Sequence, residues 1–545
     1  VQPTVFSRSQ YILLFSLLAL VYAIGLFVPL MDNDSAHHAV IALRMYLTGD
    51  YVSLIDHGKD YLDKPHLHFW LAAWSYSIFG VTGFAYKLPS FLFTILGTYS
   101  TFRLGKSLYN AETGRLAALI TASAFAYILA NNDVRMDAIL TASIIFSTWQ
   151  LVAWVQHKKG INAVGAALGL ALGFCTKGHI GVVIPAAGVF FYILYRKDWK
   201  SFYHPQLLLI LLAFAVFIAP VVYCYYLQFD LHPEKLIRGE SGRSGVEFIL
   251  WKQNFERFQG DSFGADGKND YLFFFHSFLW AFAPWSLLAF LAFFRRLKSF
   301  ATRQWEWLTL ATFAAMLLLM TFSGFKLPHY LTIIFPATAV LTAAYLMEER
   351  AKGKSLKGLL ITQVVLCTLC LLVAGAVNVW AFPIEGAFAI FGFLFLLGFA
   401  ASFLLRLKGP LQKLAGASVV TSLLVFFLLN TNFYPQLLSY QGGNELAFDT
   451  KGKVNPAQVY FMPGVYSSSY NFYTSTLRNE YSDAVLQGAG PVWILTDKNR
   501  LHEITQPILQ TYQHADYEIT TMQLPFINPA TREKELSEMV LARVK

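Results

Sequence analysis

The chain has 545 residues, of which 56% are hydrophobic and 14% charged, and it carries a net charge of +9. Soluble globular chains are roughly 45–50% apolar and about 25% charged, so this composition excludes an ordinary soluble enzyme. The basic residues sit between apolar blocks rather than along one stripe, which argues against a nucleic-acid surface and suits topogenic charge and contact with anionic membrane lipids.

The apolar residues fall in blocks of about 17–25, the length of helix needed to cross about 30 Å of hydrocarbon. Backbone groups inside a bilayer must pair within their own segment, so the blocks predict helices. In chain order they cover 11–31, 84–102, 116–131, 138–156, 161–176, 179–195, 205–227, 271–294, 305–323, 330–347, 357–377, 386–405 and 411–431, about thirteen spans in an all-α polytopic membrane domain. The first block is long for a signal-peptide core and no small-residue cleavage site follows it, so it reads as a retained span. Segment 67–79 is apolar but short, which predicts an interfacial helix. Cys367 and Cys370 form a C-x-x-C within an apolar span, and two buried thiols on one helix face explain it without a redox pair.

Loop charge sets the orientation. With the N-terminus cytoplasmic, the alternate loops are short and basic, from Arg103/Lys106/Arg115 to Arg406/Lys408/Lys413, the positive-inside pattern. The opposite, periplasmic face then carries loops 32–83 and 228–270 and a soluble tail, which divides the chain into a membrane domain at 1–440 and a periplasmic domain at 441–545. Strand-like runs at Gln458–Met462, Pro491–Leu495 and Tyr517–Leu524, with helix-like runs at His502–Tyr512 and Thr531–Leu541, predict a small α/β domain. No internal repeat is visible.

The polar residues able to do chemistry gather on that face. The first outer loop holds Asp32, Asp34, His37, His38, Asp63, Lys64, His66 and His68, a collection suited to an anion, a metal or a sugar; a solvated helix end is the plain structural alternative. Asp137 opens the fourth span, where the helix dipole favours an anion. Lys177 interrupts an apolar stretch and would cost about 2.5–3.5 kcal/mol at mid-bilayer, so it marks a turn or meets an anion, and Gly178 and Gly181 favour the turn. Asn254 and Arg257 precede a glycine-rich segment, and Lys326, His329 and Tyr330 lie between two spans. No nucleotide-binding G-x-x-x-x-G-K-[ST] loop is present. Outside the cytoplasm an enzyme needs an activated substrate already in the membrane, such as a sugar on a polyprenyl phosphate. Its phosphate leaves as an anion if cations hold it, and Lys64, Lys177, Arg257 and Lys326 suit that work. A carboxylate such as Asp34 orients or deprotonates the acceptor.

The motifs D-S-A-H-H-A (34–39), G-D-Y (49–51), Y-L-D-K-P-H-L-H-F-W (61–70), K-L-P-S (87–90), R-M-D-A around Asp137, T-K-G (176–178), E-R-F (256–258), A-P-W (283–285) and F-K-L-P-H-Y (325–330) occur in that order. Together they resemble the bacterial lipid-linked glycosyltransferases of the GT-C fold, a group that includes lipid A aminoarabinose transferases and relatives of the protein O-mannosyltransferases. The resemblance covers roughly residues 10–350. It implies inverting transfer of a sugar, such as 4-amino-4-deoxy-L-arabinose, from undecaprenyl phosphate to lipid A, a glycan or a protein at the bacterial inner membrane. It implies Asp34 as main catalytic carboxylate, Asp137 as its support, Lys64 and Arg257 as phosphate ligands with Lys177 and Lys326, and His37, His38, Asn254, His329 and Tyr330 as cavity residues. Asp63 stands where the family carries Glu, a position that joins a metal site in relatives, so a Zn or Mg ion near Asp63, with His66 as companion, is a further expectation. Departures at His37/His38, Pro65–His66 and Asn254 leave sugar and acceptor open. A lipid-linked-sugar flippase is the rival of another class, and a membrane scaffold with a receptor tail is a third; a flippase is expected to show paired halves and broken mid-membrane helices.

Overall fold

A computed structural model describes residues 4–253, 270–321, 326–353, 355–482 and 491–545. Eight of its helices are long and apolar enough to cross a membrane, so the chain is a multi-pass membrane protein. The other five expected spans also fall on helices, but shorter, broken or less apolar ones. The break near residue 124 separates two helices within the block 116–131, and Ala283–Pro284, with a cis peptide bond, divides the block 271–294 into Phe273–Ala281 and Ser286–Lys298.

The first helix, α1 (Arg8–Gly25), starts on a capping box in which the Ser7 hydroxyl accepts from the Gln10 backbone and the Gln10 side chain returns to the Ser7 N–H. Its last turn is closed by a distant side chain. Buried Lys87 donates from Nζ to the Val28 carbonyl at 2.7 Å and to that of Gly25 at 3.3 Å, which satisfies carbonyls a helix end leaves orphaned. This is the work of the lysine in K-L-P-S.

The first outer loop is a folded layer rather than a loop. Helix α2 (Asp34–Thr48) begins at Asn33, whose side chain accepts from the Ser35 N–H, and ends at Gly49, held at φ +70°. A hairpin follows, β1 (Ile55–Asp56) and β2 (Lys59–Asp60). His57 and Gly58, both at positive φ, form its two-residue turn, as the twist of a tight hairpin demands. The interfacial helix α3 (Leu67–Phe79) closes the layer and packs on α2 and on α4 (Gly83–Leu108).

Beyond α4 come α5 (Ala111–Ser123), α6 (Phe125–Leu129), α7 (Asp137–His157), α8 (Gly160–Lys177), α9 (Ile180–Arg196) and α10 (Gln206–Tyr225). Helix α7 packs on α4, α8 and α9 and is 94% buried over its apolar window. By contrast, the spans Gln206–Asp230 and Lys357–Ala381 are 22% and 17% buried, so their apolar surface is left to lipid. Small residues let the helices approach: a Cβ on Gly181 of α9 would stand 2.3 Å from the Gly173 backbone of α8. The expected turn at Lys177 is present, with Gly178 at φ +71° between α8 and α9; Gly181 serves helix contact instead. All four cysteines are free thiols, with Cys367 and Cys370 on one helix.

After a second hairpin, β3 (Leu236–Ile237) and β4 (Glu240–Ser241), the remaining strands lie in the tail: β5 (Val459–Phe461), β6 (Val492–Asp497), β7 (Ile508–Asp516) and β8 (Ser537–Val544) form one sheet in the order β5-β6-β8-β7, with β5 and β6 parallel and the other pairs antiparallel. The tail is α/β as expected, and the runs at 458–462 and 491–495 are strands. Three expectations are corrected. The runs 502–512 and 531–541 each begin in a 3₁₀ turn and end in a strand, with no α-helix, and 517–524 holds a 3₁₀ turn at Ile519–Thr521 and no strand. Strand β8 lies between β6 and β7 with Val540, Leu541 and Ala542 fully buried. A short apolar run buried on both faces loses the alternation that distinguishes strand from helix.

Candidate active site

The acidic and basic residues of the outer layer meet where α2 and α7 begin and α8 ends. Asp34 is the first residue of α2, and its side chain is 50% exposed. Arg135, in the turn before α7, donates from Nη1 to Asp34 Oδ2 at 2.8 Å and from Nε to Asp133 Oδ2 at 3.1 Å. Burial disfavours the guanidinium charge, and Asp133, Asp34 and Asp137 together outweigh that cost. Asp137, one turn of chain further on, is buried. Its Oδ1 takes Lys177 Nζ at 2.9 Å, and its Oδ2 lies 3.9 Å from His329 Nε2. Lys177 Nζ stands 4.4 Å over the Tyr330 ring, which meets His329 edge-on. Asp137 therefore does not spend its carboxylate on capping α7. A buried carboxylate, a lysine and an aromatic face instead form one ion pair backed by a cation–π contact.

Five of the residues singled out in the sequence, Asp34, Asp137, Lys177, His329 and Tyr330, are brought together in this way, with Arg135 bonded to Asp34 and acting on Asp137 through its charge. Lys64 lies close enough for its charge to act on His38. Lys326 is held elsewhere, donating to the Asp270 carbonyl at 2.9 Å and facing the Tyr271 ring. Asn254 and Arg257 fall outside the described residues.

The histidines divide into two sets. His38, His66 and His68 are buried: His38 Nε2 lies 3.2 Å from the Tyr61 hydroxyl, His66 Nε2 2.8 Å from the Val52 carbonyl, and His68 Nε2 3.0 Å from the Tyr86 hydroxyl. Burial depresses all three, His66 and His68 to about 4. Desolvation favours their uncharged rings inside the layer, and each ring has its Nε2 engaged by a neighbouring oxygen of that layer. Among the described residues Asp63 does not converge with His66 on a shared ligand position. It pairs with Arg238 of the second hairpin at 3.1 Å, as Asp60 pairs with Lys235 at 2.9 Å. Gln228 adds to that seam, exchanging hydrogen bonds with Leu54.

His37 belongs to the second set. Its Nε2 is 2.9 Å from Asp56 Oδ2, and His57 Nε2 is 3.5 Å from Asp56 Oδ1. Sequence reasoning missed Asp56, His57 and Arg135. The D-x-R spacing of Asp133 and Arg135 was the available signal for the last; nothing in a linear motif announces a hairpin that brings Asp56 back to α2.

Asp32 is fully engaged with the tail. Its carboxylate accepts from the hydroxyls of Ser467 and Ser469 at 2.8 Å each and from the Ser469 N–H at 3.2 Å. Burial pushes its carboxyl up, against the pull of those serines.

Residues 63–223 match the family described as dolichyl-phosphate-mannose-protein mannosyltransferase. The chain is 24% identical over 357 residues to an undecaprenyl phosphate-alpha-4-amino-4-deoxy-L-arabinose arabinosyl transferase of Pseudomonas aeruginosa, covering 62% of this chain and 61% of the relative. It is 27% identical over 420 residues to a second such transferase from Pseudomonas fluorescens, covering 74% and 71%. Its fold matches the crystal structure of ArnT from Cupriavidus metallidurans bound to undecaprenyl phosphate, with a TM-score of 0.72 at 17% identity over 98% of both chains. The chain therefore shares the fold of that transferase, and its residues 63–223 match the mannosyltransferase family. In sequence it is similar to the undecaprenyl phosphate-alpha-4-amino-4-deoxy-L-arabinose arabinosyl transferases.

Proposed function

We propose that this protein transfers a sugar from a polyprenyl phosphate donor to an acceptor at the periplasmic face of the bacterial inner membrane, with a lipid A phosphate as the favoured acceptor. The observation that carries the reading is the half-exposed Asp34 carboxylate held by Arg135 beside the buried Asp137–Lys177 pair. In the transfer the bond between the anomeric carbon and the donor phosphate oxygen breaks, and the acceptor oxygen bonds to that carbon from the opposite face, which inverts its configuration. The phosphate departs with the bonding electron pair, and fixed cations lower the energy of that developing charge. Lys64 and Lys177 serve this role, with Arg257 completing the set.

Asp34 orients the acceptor, and takes its proton where the acceptor is a hydroxyl. A phosphate acceptor is already ionised and needs only positioning. Asp137 keeps Lys177 in place and fixes the charge balance of the site. The division into a membrane domain and a periplasmic tail, with the N-terminus cytoplasmic, follows the positive-inside pattern.

The test is reconstitution of the purified protein with undecaprenyl phosphate-linked aminoarabinose and, separately, lipid A, a protein and a glycan as acceptors, with products read by mass spectrometry. Aminoarabinose on lipid A phosphate is expected. Transfer to the protein or glycan alone would overturn the acceptor assignment, and no donor consumption with any acceptor would overturn the reading.

A further inference from the structure

We infer that His37, Asp56 and His57 form a binding site for a borderline transition-metal cation, best fitted by Zn²⁺, distinct from the Asp34–Asp137 centre. One ligand atom from each residue lies within 4.8 Å of the other two, and among the described residues this is the group of His, Cys, Asp or Glu atoms that converges closely enough to share an ion. His37 Nε2 lies 2.9 Å from Asp56 Oδ2, and His57 Nε2 3.5 Å from the other carboxylate oxygen, Oδ1. Ligand atoms around a tetrahedral zinc with bonds near 2.0–2.1 Å are about 3.3 Å apart, so a small rotation of the imidazoles completes the set.

Two imidazole nitrogens and one carboxylate suit zinc and its neighbours rather than Ca²⁺ or Mg²⁺, which demand oxygen. Three protein ligands leave a fourth position open to water or an anionic oxygen.

A second observation points the same way. Asp56 Oδ1 is buried and accepts no hydrogen bond, with His57 Nε2 at 3.5 Å facing it, and a buried acceptor without a hydrogen-bond donor is costly unless a cation meets it. The backbone also commits to the arrangement. His57 sits at φ +44° in the hairpin turn, a conformation uncommon outside glycine, and that turn aims Asp56 and His57 at the first turns of α2. The three side chains are 28%, 22% and 24% exposed, open enough for an ion to enter from solution. Asp34 and Asp63 add negative charge towards His37, while Glu480 and Arg478 of the tail act on His57 with opposite signs. The His57 ring meets Tyr466 edge-on, so the ion would sit where the first outer layer meets the tail.

The test is metal binding by the full chain in lipid nanodiscs, stripped with a chelator and then titrated with Zn²⁺ alone, with bound metal counted by mass spectrometry after desalting. One Zn²⁺ per chain is expected, with affinity falling at least about tenfold in Asp56→Asn and in His57→Asn. Asparagine tolerates positive φ, so the second variant keeps the turn. Loading with Co²⁺ is expected to give tetrahedral visible bands that both variants lose. Absence of stoichiometric Zn²⁺ in the wild type would overturn the inference, as would binding that survives both changes or that is lost instead in Asp63→Asn. None of these readouts depends on sugar transfer, so the site and the transferase reading fail separately.

Discussion

The Asp137–Lys177 pair sets two opposite charges against each other at a largely buried position. Two charges taken from water are repaid by their mutual attraction only while both are present, and removing one partner of a buried pair typically costs about 3–5 kcal/mol. Lys177→Met and Asp137→Asn are each expected to lower the denaturation midpoint in detergent, and the double variant is expected to be destabilised by less than the sum of the two. Additive losses in a double-mutant cycle would show that the pair is not coupled. The buried histidines give a pH dependence of definite sign. His66 and His68 titrate near 4 in the fold, against about 6.5 when unfolded. Their unfolded forms therefore bind more protons in that window, and stability present above about 6.5 is lost as the pH falls towards 4. Amide protection of residues 34–79 should weaken across this range by hydrogen exchange, and protection that rises on acidification would contradict it.

At the scale of elements, the contact of α8 with α9 rests on two glycines. Gly181→Leu would place a side chain against the Gly173 backbone, and overpacking of this kind costs about 1–3 kcal/mol. A lowered melting temperature of the purified variant is expected; an unchanged one would mean that the helices separate freely. The sequence marked most such elements through hydrophobic block length, which is why every expected span lands on helix. Breaks were harder to see, because the A-P-W at 283–285 interrupts a block whose apolar residues continue on either side. The tail was read least well: β8 is apolar throughout Met539–Ala542 and resembles a buried helix when periodicity alone is considered. The first outer layer was legible as a store of acids, cations and histidines but not as a fold. Proximity in the chain grouped His66 with Asp63, whereas the hairpin groups His37 with Asp56 and His57.

Across the whole molecule, the membrane helices serve as a frame that brings distant polar residues to one end. Asp34 and Arg135 are 101 positions apart, and Asp32 reaches Ser467 over 435. The candidate site was legible in part because its acids and cations flank the spans; their pairing was not, since ion pairs over such separations leave no local spacing. Asp32 joins the first outer layer to the tail, where it caps the helix Ser468–Thr474. Asp32→Ala leaves two serine hydroxyls and an N–H without their acceptor, and faster proteolytic release of the tail is expected; a wild-type digestion pattern would show that other contacts suffice.

The central claim is that Asp34 acts on the acceptor while neighbouring cations hold the departing phosphate. Single-turnover transfer by Asp34→Asn, with undecaprenyl phosphate-linked aminoarabinose and lipid A in the same nanodiscs, tests it most directly. The rate is expected to fall by about 10²-fold or more while donor binding and melting temperature stay near wild type. A rate equal to wild type would contradict the account.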